Sequence, residues 1–186
     1  MVHSAGIEGS GRHVAVGGFS LASVLDVDAL LSMVGKTVSP CPFQLFDADR
    51  IAGWRHLFFA AVNAVKAFDS GRAISKSLAM EVLLYASCHD QISQALETVG
   101  LSTETRRTAL IVFSETPEDG LRAFGMASDL LGAADDSVLE YHGDKLDSLM
   151  GVFGVSEVEL QAVGGTREEA LTKLLVEMGA LLSTRR

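Results

Sequence analysis

Residues 78–86, LAMEVLLYA, would be apolar nearly all the way round a helix of 3.6 residues per turn. A helix with one apolar stripe can lie on a surface, but one that is apolar on every side must be enclosed by other elements. The rest of the chain therefore has to wrap it. With 186 residues and a 48% hydrophobic composition, one domain spanning 1–186 can supply such a core.

The wrapping elements are legible in outline. Residues 12–19 are Val-rich and Gly-flanked, the aromatic and aliphatic residues of CPFQLF (41–46) follow a Pro-Cys-Pro break, and TALIVFS (108–114) is a continuous apolar run rich in β-branched residues and bounded by charges. These three are predicted strands, the last the best of them. Helices are predicted at 24–33, 49–69, 76–87, 91–99, 118–132, 142–150, 156–162 and 167–183. Few strands separated by much helix point to an α/β fold, with α+β as the alternative, built as a helix-rich single domain around a small mixed sheet. Residues 1–11, with their GIEGSG run, are expected to be flexible.

Two helices carry further detail. Thr166 precedes Glu169 at capping-box spacing, and Leu171, Leu174, Leu175, Met178 and Leu182 then share one face. In the helix over 49–69, Arg55 and Lys66 share their arc with Phe59 and Val62. Either other elements surround that arc or it receives another protein.

The net charge of −9 argues at first against nucleic acid. Residues 1–80, however, carry seven Lys/Arg against six Asp/Glu, while residues 111–170 carry three against thirteen. Anion binding by the first half survives. No apolar run of about 18 residues and no signal-like amino terminus occur, so a soluble cytoplasmic protein without membrane contact is expected.

Chemical motifs are mostly absent. GKT (35–37) lacks the glycine at position 30 that a phosphate loop needs, because Leu30 stands there. Asp47 and Asp49 read as caps of the following helix. Cys41 and Cys88 form no CxxC, and the five histidines show no ligand spacing, so neither metal nor cofactor is expected. No nucleophile with a base and an orienting group emerges; an enzyme acting on an anionic metabolite is the weaker reading, and a binding protein the stronger.

One feature is electrostatically odd. If Ser75 or Ser77 caps the following helix, Lys76 sits where backbone N–H groups and the helix dipole already favour an anion. A cation there costs up to about 1 kcal/mol unless something negative neutralises it. A phosphate would do so; water or a nearby carboxylate would also suffice.

FDADRIAG (46–53), HLFFA (56–60), ISKSLAMEVLLYAS (74–87), QISQALETVG (91–100) and EMGALLS (177–183) together resemble the PRPK-binding (TPRKB-like) small subunit of the KEOPS complex. The resemblance implies a TPRKB-like fold and a non-catalytic, regulatory subunit. It implies docking on an atypical kinase-like ATPase and support of threonylcarbamoyladenosine modification of tRNA, with other KEOPS subunits met indirectly. It also implies a role in holding the single-stranded 3′ CCA end of tRNA. By position it assigns RNA contact to Ile74, Ser75, Lys76 and Ser77, with Gln91 and Ile92 at the next joint. Lys76 would meet phosphate, Gln91 a base edge and Ile92 a base face. The ATPase contact falls on Leu181 and Leu182 as apolar anchors, with Arg185 and Arg186 as rim charges. A protein-only adaptor that regulates the ATPase without touching RNA is the alternative. The chain departs from the family pattern at Ala73, often Asn, and at residues 88–90, where Gly and a basic residue commonly precede Gln-Ile.

Overall fold

The computed structural model describes residues 2–24 and 26–184. Its centre is a four-stranded sheet in the order β1-β2-β4-β3, formed by β1 (His3–Ile7), β2 (Arg12–Ser20), β3 (Phe43–Asp47) and β4 (Arg107–Ser114). Every pairing is antiparallel, so of the two expected classes α+β is the one realised, without the mixed sheet. Residues 3–7 correct the expectation of a flexible start. They pair with residues 12–16 of β2, and Gly9 and Gly11 adopt positive φ in the connecting turn. The GIEGSG run is hairpin chemistry, because only glycine takes up that backbone cheaply.

Among the described residues the α-helices are α1 (Val27–Val38), α2 (Trp54–Asp69), α3 (Leu78–Ser87), α4 (Ile92–Val99), α5 (Pro117–Leu131), α6 (Lys145–Phe153), α7 (Glu157–Val163) and α8 (Arg167–Leu181). GKT falls inside the last turns of α1, which is no place for a phosphate loop. None of these helices is long and apolar enough to cross a membrane.

Strand β4 explains the layering. Its side chains alternate in direction, so Ala109, Ile111 and Phe113 join the core under α2 and α3, while Leu110 and Val112 join the core under α1 and α5. A strand buried on both faces reads as an unbroken apolar run. Helix α3 lies in the first of these cores, with every residue from Glu81 to Ser87 buried. A third cluster, around Leu149, Leu171 and Leu175, joins α6, α7 and α8. Gly179 lets α8 close on α3: a Cβ there would stand 2.8 Å from the Tyr85 carbonyl oxygen.

Two cap assignments divide. Thr166 and Glu169 form the expected capping box of α8. Asp47 instead caps a short 3-10 turn (Ala48–Arg50), accepting the Asp49 N–H at 3.0 Å, and Asp49 pairs with Arg107 at 2.9 Å. Helix α2 starts only at Trp54, and its N-cap residue, Gly53, has no side chain to cap with. His56, in the first turn, reaches back: its Nδ1 accepts the N–H of Ala52, the residue before the N-cap, at 3.2 Å and fixes the entry of the chain into α2.

Candidate nucleic-acid and partner-binding surfaces

The loop before α3 and the joint before α4 hold the six residues expected to meet RNA. Ile74, Lys76, Ser77, Gln91 and Ile92 are exposed and Ser75 is half-buried. Ile74 and Ile92 leave 43% and 41% of their surface in solvent, which is unusual for isoleucine and supplies two apolar platforms. The two groups lie at opposite ends of α3. Ten residues of helix separate them by roughly 15 Å, so only an extended ligand spans both.

The start of α3 is not the vacant anion site expected of it. Ser77 is the N-cap residue, but its hydroxyl makes no capping bond. Ser75 and Ser77 bond to each other instead: the Ser77 N–H donates to Ser75 Oγ, which donates to the Ser77 carbonyl, both at 3.0 Å. Glu81, fully buried in the first turn, accepts the Ser75 N–H at 2.8 Å. A carboxylate from within the protein already complements the positive end of the helix. The charge that remains outside is that of Lys76.

Beside this loop lies an open cavity of about 420 Å³ lined by Asn63, Lys66, Ala67, Arg72, Tyr85 and Ser183. Among the described residues its wall carries two cations and no carboxylate. Asn63, Arg72 and Tyr85 were not singled out by sequence reasoning. The available signal was the crowding of Lys66, Arg72 and Lys76 into one short stretch of an otherwise acidic chain.

At the far end of α3, Cys88 occupies the left-handed region at φ 60°, a conformation that favours glycine. Its Sγ lies 3.7 Å from the Leu175 carbonyl of α8, so the thiol serves packing at the helix end. Gln91 is the N-cap residue of α4 but makes no side-chain capping bond, leaving its amide for other partners. Asp90, beside it, is exposed.

A second surface lies between α2 and α8. Arg55 and Phe59 of α2 face Thr172, Lys173 and Val176 of α8 across a groove of about 610 Å³. Tyr141 braces it: its hydroxyl lies 2.9 Å from Thr172 Oγ1, which also donates to the Ala52 carbonyl at 3.3 Å. Burial pushes the Tyr141 hydroxyl up to about 12, so it stays protonated in that brace. Further along α8, Leu181 is half exposed, whereas Leu182 turns inward and is buried in the core under α2 and α3. Leu182 is thereby corrected from surface anchor to core residue. Arg185 and Arg186 lie outside the described residues.

The remaining polar cluster reads as a fastening. Lys145 is almost fully buried and donates to the carbonyls of Leu139 and Glu140 at 3.4 and 3.2 Å. Burial lowers its pKa to about 8, against the opposing pull of Asp49. It is still largely charged at pH 7, and it holds the segment that crosses from α5 to α6.

Residues 23–143 match the family described as "Kinase binding protein CGI-121". The regulatory protein Cgi121 of Methanocaldococcus jannaschii is 30% identical over 138 residues, which cover 73% of this chain and 83% of that relative. The chain belongs to the CGI-121 kinase-binding family.

Proposed function

We infer that this protein is a non-catalytic regulatory subunit of a KEOPS assembly, docking on its atypical kinase-like ATPase and holding the 3′ CCA end of tRNA during threonylcarbamoyladenosine formation. It acts in the cytoplasm, needs no cofactor, and meets the other subunits through the ATPase. The observation that carries the RNA half is the pairing of exposed Ile74 and Ile92, at the two ends of α3, with Lys76 and the Lys66/Arg72 cavity. Unstacked nucleotides are bound through apolar or aromatic platforms for the bases and cations for the backbone. Ser75, Ser77 and Gln91 supply hydrogen bonds along the same path. For the ATPase, the α2/α8 groove with Phe59 offers an apolar floor and a charged rim, and Leu181 extends it along α8.

The protein-only adaptor has one observation in its favour. Glu81 already complements the start of α3, so the fold has no electrostatic need for a bound phosphate there. A gel-shift titration separates the two readings. RNA capture requires that purified protein retard tRNA, that removal of the terminal CCA abolish the shift, and that salt weaken it steeply. An assembly whose tRNA affinity is the same with and without this subunit, while its ATPase rate still responds, establishes the adaptor.

A further inference from the structure

Helix α5 covers the sheet face opposite α3 and carries a surface that neither the RNA reading nor the ATPase reading uses. Its inner side is complete: Gly120, Ala123, Phe124, Ala127 and Leu131 are buried. Its outer side leaves Leu121, Met126 and Leu130 exposed at 45%, 45% and 40%. These are large apolar side chains on a helix whose core face is already filled.

The two glycines of α5 have opposite explanations. At Gly120 a Cβ would stand 2.6 Å from Ser114 Oγ, so packing on β4 demands the small residue. At Gly125 no atom of another element among the described residues comes within 4 Å of a Cβ, so packing does not require glycine there. Glycine is nevertheless a poor helix former. Glu118, Arg122, Gly125 and Asp129 follow one another at helical spacing along the outer line. Leu121 stands on one shoulder of Gly125, with Met126 and Leu130 on the other. The result is a saddle with apolar shoulders, the shape into which the ridge of a second helix fits.

Charge selects the occupant. Asp119 engages Arg122. Along α5 itself Glu118, Asp119 and Asp129 stand against that one arginine. Nucleic acid is repelled by such a face, and a second copy of this chain would set Glu118 and Asp129 against their own kind. We propose that the outer face of α5 is a docking surface for a basic amphipathic helix of a partner protein, seated over Gly125 between Leu121 and Met126. It lies across the sheet from the loop before α3 and from the α2/α8 groove, so all three surfaces can be occupied together.

The test uses the full chain, isotope-labelled for amide shifts, and two designed 18-residue peptides with identical leucine positions, one filled with lysine and the other with glutamate. The lysine peptide should bind saturably, move amides mainly within residues 118–130, and weaken at least tenfold when Asp129 and Glu118 are both changed to Lys. Gly125→Gln should raise the thermal midpoint, since it fills open space on a helix, yet lower peptide affinity at least fivefold. That opposition is what a purely structural residue would not give. Shifts centred outside α5, equal binding of the glutamate peptide, or unchanged affinity in Gly125→Gln would each overturn the proposal. So would a dimer in sedimentation that Gly125→Gln dissociates, because the face would then belong to a second copy.

Discussion

The Glu81 carboxylate accepts the Ser75 amide proton at 2.8 Å while fully buried beneath the loop that starts α3. One side chain thus fixes the loop and supplies the negative charge that the helix dipole favours. Stability and RNA affinity should respond to it with opposite signs. Glu81→Gln keeps an acceptor but removes the charge, and should lower the unfolding free energy by about 1–3 kcal/mol in urea titrations. The same change should raise affinity for a CCA-ended oligonucleotide a few-fold at low salt, from about 0.3–1 kcal/mol of removed repulsion. Fluorescence anisotropy checks the second half.

Lys66, Arg72 and Lys76 should act as phosphate contacts and not as base readers. Reversing any one of them to Glu should weaken binding similarly for every sequence and flatten the log K against log salt line by about 0.7 per contact, as for single strands. Ile92→Ala should instead lower affinity by about 1–3 kcal/mol with the salt slope unchanged.

His56 gives the protein a pH dependence with a defined window. Burial holds its folded-state pKa at about 4, below the ordinary 6.5, and its Nδ1 is committed to accepting the Ala52 N–H. Its Nε2 lies near the Ala86 carbonyl of α3, outside good hydrogen-bond geometry. Between those two values the unfolded chain carries the extra proton and the folded one does not. The stabilisation is therefore complete above about pH 6.5 and is lost as the pH falls toward 4, amounting to about 3 kcal/mol at most. Urea unfolding at pH 7 and pH 5 measures it, and His56→Gln should remove most of the difference.

Phe59 and Gly179 should separate docking from folding. Phe59→Ala removes an exposed ring from the α2/α8 groove, so the thermal midpoint should hold while affinity for the ATPase falls at least tenfold, about 1.4 kcal/mol. Gly179→Ala drives a Cβ toward the Tyr85 carbonyl and forces α8 off α3, costing about 1–3 kcal/mol of stability. Calorimetry and a binding titration on both variants make the comparison.

Local rules made several elements readable. The all-round apolar stretch in 78–86 became the enclosed helix, and TALIVFS became the strand buried on both faces. Thr166 and Glu169 made their capping box because both partners lie within one helical turn. Strand β1 was missed because a short hairpin arm without clean alternation declares itself only by pairing with β2. Asp49 was misread as a cap because its partners, Arg107 and His142, lie far along the chain.

The sequence by itself determined the helices and three of the four strands in outline, the concentration of acid in the second half, and the stretch of chain where RNA contact is expected. Only the tertiary structure decided that Glu81 neutralises the start of α3 from beneath, that Lys66 and Arg72 share a cavity wall, and that Leu182 turns inward while Phe59 faces a groove. Propensity and periodicity act over a few residues along one chain direction, whereas burial and electrostatic complementarity depend on which distant segments the folded core brings together.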